Sequence, residues 1–187
     1  MAITESKKYL WRYSDLPAVI YMLTERKLTL VDPQSWDDKN DSYYLNVYKD
    51  KQQLASILAL SFTRSNEAYH HWRVFSGSSS GVSVRFNRVA LLKALRKEPM
   101  VAMRNVRYLT LSEMRPKKLK LGDLPFIKRA AFEHECEYRV VCESAGDTLP
   151  HLDIAIPLSC ISQITLSPWI RKNIFASVRG LLNSIDG

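Results

Sequence analysis

Hydrophobic and polar positions change period several times along this chain. Residues 9–13 (YLWRY) alternate and are rich in aromatics, which predicts a first strand. Ser14 or Asp15 can then cap a helix that has Pro17 in its first turn and runs to about Arg26. Residues 28–31 predict a short strand ended by Asp32 and Pro33, and SWDDKND at 35–41 reads as turn chemistry. Residues 54–60 fit helix or strand, and 60–63 end strand-like. Asn66 is placed to cap a short helix through Trp72 and Phe75. GSSSG at 77–81 predicts a turn, 82–86 an alternating strand, and 89–97 an amphipathic helix.

Further along, 101–111 read mostly as strand and 124–132 as helix. From Tyr138 onward, Tyr138, Val140 and Cys142 form one strand face, with Arg139, Val141 and Glu143 on the other. Residues 152–156 and 161–166 predict two more strands. Pro168 opens a closing amphipathic helix with Ile170, Ile174, Val178, Leu181, Leu182 and Ile185 as its apolar stripe. Strands do not alternate regularly with helices, which disfavours a doubly wound parallel sheet. The expected fold class is α+β: a mixed or mainly antiparallel sheet with packed helices and a C-terminal amphipathic helix.

The length, 187 residues, suits a single domain over 1–187 with a real hydrophobic core. Apolar residues at 46% and charged residues at 25% are ordinary for a soluble domain. No apolar run approaches the ~18–20 residues that span a bilayer, so no membrane partner is expected. The N-terminus lacks an apolar signal core. Cys136, Cys142 and Cys160 are odd in number and show no C-x-x-C spacing, which predicts a reduced cytoplasmic location with all three as small buried hydrophobes.

Lys and Arg outnumber Asp and Glu by 27 to 19, giving a net charge of +8. The densest cluster is Arg115, Lys117, Lys118 and Lys120. It lacks the interleaved aromatics of a nucleic-acid site and reads as a solvated loop. A binding stripe would need that cluster to join Arg104 and Arg107. His70 and His71 are adjacent and diverge by ~100° on a helix, and His134 and His151 lack partners at ligand spacing, so no metal is expected. No G-x-S-x-G, P-loop or G-x-G-x-x-G occurs.

Within this basic chain, Glu133, Glu135 and Glu137 precede an apolar strand in AFEHECEYRVV at 131–141. A helix would place Glu133 and Glu137 on one face, and an extended chain would place all three together. Either geometry raises at least one pKa unless a cation is close, and Arg139 would share the strand face of Glu137. Two readings stay open. One is a polar strand face held by a Glu–Arg pair. The other is a carboxylate set to face a developing positive charge.

Several short stretches, in order, resemble domain-of-unknown-function family 2971, a family of bacterial proteins. They are Leu10-Trp11-Arg12-Tyr13-Ser14, the run LTLVDPQSWDDKND at 28–41, Ser61-Phe62-Thr63, Trp72 followed by GVSVRF at 81–86, Glu135-Cys136-Glu137-Tyr138-Arg139, and 161–168. Lys39 stands where that family usually has proline, and Phe132 where it usually has tryptophan. More distantly, Arg12, then Ser61-Phe62-Thr63, then Glu135-Cys136-Glu137 resembles the order in ADP-ribosyltransferases: a basic residue on a first strand, a Ser-x-Ser-like strand and a Glu-x-Glu element. That resemblance implies NAD as co-substrate. Glu137 would be the catalytic carboxylate, with Glu135 positioning a protein or nucleic-acid acceptor. Ser61 and Thr63 would brace the carboxylate or ribose, Arg12 would neutralise the phosphates, and Tyr13 and Trp72 would stack on the bases. The alternative is a non-enzymatic nucleic-acid-binding or protein-interaction domain.

Overall fold

The computed structural model describes residues 7–36, 38–76, 79–114 and 119–185. Asp37 and most of the basic cluster, including Arg115, Lys117 and Lys118, lie outside the described residues. The fold is α+β with mainly antiparallel strands. In chain order the first elements are β1 (Tyr9–Asp15), α1 (Leu16–Glu25), β2 (Lys27–Val31), α2 (Lys39–Lys51), β3 (Ser56–Thr63), α3 (Tyr69–Phe75), β4 (Gly81–Asn87) and α4 (Arg88–Leu95). There follow β5 (Val101–Asn105), β6 (Arg107–Leu109), β7 (Ile127–Arg129), β8 (Glu137–Ser144), β9 (His151–Ala155), β10 (Ile161–Leu166) and α5 (Lys172–Asn183). The chain forms two compact units. The first is Met1–Leu28, Phe62–Lys97 and Ile154–Gly187; the second is Thr29–Ser61 and Glu98–Asp153.

In the first unit, β4 pairs antiparallel with β1, from Tyr9↔Asn87 to Asp15↔Gly81, and with β10 on its other side. Leu10, Val82, Val84 and Phe86 alternate into the core. α1 starts where expected, because the Asp15 carboxylate accepts the Ala18 N–H at 2.8 Å, and it ends at Arg26 in the left-handed region. α3 starts at Tyr69 with Ala68 before it and no side-chain cap, so Asn66 does not cap it. Asn87 caps α4 by accepting from the Ala90 N–H at 3.1 Å.

α5 starts at Lys172, later than the Pro168 start expected from sequence. Of the expected stripe, Val178 is buried, whereas Ile174 is 46% exposed and Leu181 is also exposed. The helix is amphipathic in pattern but is not docked along that whole stripe.

In the second unit, β3 pairs antiparallel with β2 (Val31↔Ala59), and β8 pairs with β3 and with β5. β6 and β7 run parallel, from Arg107↔Ile127 to Leu109↔Arg129. Leu45, Tyr48, Ile57, Ala59, Phe126 and Val141 form its apolar cluster. α2 begins inside the stretch that read as a turn. Asp41, Leu45 and Tyr48, at i, i+4 and i+7, make its buried stripe, too short and too polar to stand out in the pattern. The helix expected at 124–132 is instead a 3-10 turn (Leu121–Phe126) containing Pro125, then β7, then a second 3-10 turn (Ala130–Glu135). Proline lacks the N–H that would continue an α-helix, and Ile127 and Lys128 are buried in a strand.

Among the described residues no helix is long and apolar enough to cross a membrane. Cys136, Cys142 and Cys160 form no disulfide. Cys142 and Cys160 are buried, which pushes both up to about 11, while Cys136 is only half-buried, unlike the expectation.

Candidate active site

The glutamates do not share a face. Glu135 ends the second 3-10 turn, and Cys136 turns the chain in the left-handed region at φ 47°, with its N–H on the Glu133 carbonyl at 3.1 Å. Glu137 then opens β8. A left-handed residue between them breaks the period of two that an extended chain would keep. Glu135 is therefore sent to Lys128 and Glu137 chiefly to Arg139, with Lys128 within 3.8 Å of it as well.

Glu137 belongs to the second unit, whose strands explain its neighbours. On β3, Ile57, Ala59 and Ser61 point to one face; on β8, Glu137, Arg139 and Val141 do the same. Ile57, Ala59 and Val141 meet in the apolar cluster. At its polar end the Ser61 hydroxyl donates to Glu137 Oε1 at 2.5 Å. Arg139 is fully buried. Its Nε donates to Glu137 Oε1 at 2.6 Å and one terminal nitrogen to Oε2 at 2.8 Å. The same guanidinium holds Asp41 by two bonds of 2.8 and 2.5 Å and donates to the Pro125 carbonyl at 3.0 Å. All five N–H donors of Arg139 are thus used. The Trp36 ring lies 5.5 Å from the guanidinium carbon.

Lys128 is the second cation. Its ammonium donates to Glu135 at 2.7 Å and lies 3.3 Å from Asp38, 3.4 Å from Asp41 and 3.8 Å from Glu137. Burial opposes its charge, yet Glu137, Asp41 and Glu135 together push Lys128 above its usual range. Burial likewise works against an ionised Glu137, but Arg139, Lys128 and the Ser61 hydroxyl outweigh it and hold the carboxyl below the usual carboxylate range. Burial raises Glu135 and Asp41, and their bonds to Lys128 and Arg139 only partly offset it. The backbone N–H of Glu137 donates to the Tyr108 hydroxyl at 2.7 Å, and burial pushes that phenol well up.

The other residues that the resemblance assigns to NAD lie in the first unit. Arg12 is half-buried on β1 opposite Val84, and burial lowers its guanidinium to about 10 despite Asp15, leaving it cationic at neutral pH. Thr63 pairs with Trp11 in the strand register, and its hydroxyl accepts the Ser65 N–H at 3.0 Å. Tyr13 and Trp72 pack edge to face, 5.1 Å between ring centroids. Trp72 is 2% exposed and its indole N–H donates to Glu67 at 2.7 Å, so neither ring face is open to a base and it is a core anchor. In the second unit, Arg104 and Arg107 pair with Asp123 at 3.8 and 3.5 Å.

Asp38, Asp41, Lys128 and Tyr108 were not singled out from sequence. Asp41 left no readable signal, because the buried stripe of α2 that it opens is too short and too polar to stand out. Lys128 left only an apolar neighbourhood in PFIKRAAF, and Tyr108 left none.

No protein-family model matches the chain, that of domain-of-unknown-function family 2971 included, and no curated protein does. Among solved structures, DarT of Thermus sp. 2.9 in complex with ADP-ribosylated ssDNA is similar at a TM-score of 0.46 and 11% identity. The alignment covers 95% of this chain and 88% of that one. Similarity of that degree says nothing of the chemistry done here.

Proposed function

We propose that the chain is an ADP-ribosyltransferase-like, NAD-consuming enzyme whose Glu-x-Glu element is Glu135-Cys136-Glu137. One observation carries this reading. Ser61 and Glu137, 76 positions apart, belong to the two motifs that the resemblance names, and they meet at 2.5 Å. Cleavage of the nicotinamide–ribose bond builds positive charge on the ribose, as in glycoside hydrolysis. An ionised, fixed carboxylate stabilises that charge without reorganising. Arg139 supports both properties for Glu137. Oε1 already accepts two hydrogen bonds, whereas Oε2 accepts one and faces Lys128 only at 3.8 Å, so Oε2 keeps acceptor capacity for a ribose hydroxyl. Glu135, with its raised pKa, suits a group that takes a proton from an acceptor, either protein or nucleic acid.

Arg12 keeps the phosphate-neutralising role that the resemblance implies, whereas Tyr13 and Thr63 are buried, Tyr13 in one aromatic cluster with Trp72. Calorimetric titration with NAD tests the reading: the wild type binds, and Arg12→Ala binds several-fold more weakly. A wild type that gives no binding heat at any temperature contradicts it.

The closed bonding of Arg139 favours a second reading, in which the Asp41–Arg139–Glu137 network serves only as a polar framework. Under it, Glu137→Gln lowers the melting temperature and no NAD turnover exists to be lost.

A further inference from the structure

The charge of the chain is divided unevenly. The first unit holds 15 Lys and Arg against 5 Asp and Glu, a net +10, while the second holds 12 against 14, a net −2. Such asymmetry marks an anion-binding part. Arg104 and Arg107, which a basic stripe with the cluster at 115–120 would need, lie in the other unit, where both pair with Asp123. The first unit also supplies what the cluster at 115–120 lacked, aromatic rings interleaved with arginines. Tyr69, 68% exposed, packs edge to face on Trp169 at 5.9 Å. The exposed Arg73 lies 4.4 Å from the Trp169 ring centre and 5.4 Å from that of Tyr69, and its Nε donates to the Tyr69 hydroxyl at 2.9 Å. On β1 and β4, Arg85 lies 4.6 Å over the Tyr9 ring and donates to Ser162 at 3.0 Å. Trp169 and Tyr9 both pack against the same buried cluster of Trp11, Tyr13 and Trp72, which anchors the two pairs from beneath. Exposed Arg171 and Lys172 follow Trp169 in the chain.

We propose that Tyr69, Arg73 and Trp169, together with Tyr9 and Arg85, form a binding face for single-stranded nucleic acid. Stacked bases need held aromatic faces, and the backbone needs cations beside them; this face has both. The hydrogen bond between Arg73 and Tyr69 fixes the platform before binding, which lowers the ordering cost. Duplex bases are already stacked on one another and offer only phosphates to such a surface, so single strands are preferred. The proposal does not rest on the role of Glu137.

The test is fluorescence anisotropy without NAD, using labelled single-stranded DNA and RNA of about 15 nucleotides, the matching DNA duplex, and two salt concentrations. Single strands should bind more tightly than duplex, with affinity falling as salt rises; the DNA and RNA arms show which strand is preferred. Tyr69→Ala and Arg73→Gln should each weaken single-strand binding by about tenfold with unchanged melting temperature. Lys93→Gln on α4 should lose no more than the effect of one charge outside the aromatic face. Equal affinity for duplex, or unaltered binding by Tyr69→Ala, would overturn the proposal. So would flotation with phosphatidylserine vesicles in place of oligonucleotide binding.

Discussion

Arg139 is fully buried, and each of its N–H groups meets an oxygen, four of them on the carboxylates of Asp41 and Glu137. Removing it leaves two buried carboxylates facing each other. Arg139→Met should therefore cost about 3–5 kcal/mol in urea unfolding. Arg139→Lys should fall between that variant and the wild type, because a point charge cannot serve both carboxylates in the geometry of a planar fork. Glu137 makes a second prediction. Its carboxyl sits below its unfolded range, so its contribution is present above the unfolded pKa and is lost as pH falls through the lower folded one. The difference in melting temperature between wild type and Glu137→Gln should be largest near neutral pH and shrink below about pH 4. A difference that grows on acidification would show that Arg139 does not hold Glu137 ionised. The Glu137–Arg139 pair was legible in the sequence, because period two puts them on one strand face. Asp41 and Lys128 were not, since only tertiary packing brings residues 98 and 11 positions from Arg139 into one network.

Cys136 decides where the two glutamates go. A non-glycine residue at φ 47° carries a steric cost that a β-branched side chain makes worse. Cys136→Gly should be neutral or slightly stabilising, whereas Cys136→Val should lose about 1–2 kcal/mol, both read from thermal melts. If valine is tolerated as well as glycine, the left-handed turn does not fix the path into β8. α5 supplies a paired test. Val178→Asp buries a charge and should cost several kcal/mol, while Ile174→Asp should change little because that side chain is largely exposed. The cleanly alternating strand β4, the apolar run of β8 and the helix capped by Asp15 were readable from local pattern. The segment 121–135 was not, because its residues are helix-compatible one by one and only Pro125 and the burial of Ile127 and Lys128 divide it.

At the scale of the whole chain, the α+β class followed from the irregular succession of helices and strands. The +8 total concealed a basic unit and a slightly acidic one, because the segments of each unit are scattered along the sequence. The acidic unit carries the Glu137 network and so carries the account. In the proposed function, Glu137 is the ionised carboxylate of an NAD-cleaving site. The most direct test is nicotinamide release from NAD by wild type and Glu137→Gln, each checked for folding by circular dichroism. The wild type should release nicotinamide slowly, and the folded variant should lose about 10²-fold or more of that rate. Equal rates in the two proteins, or no release by a wild type that also fails to bind NAD, would contradict the proposed function.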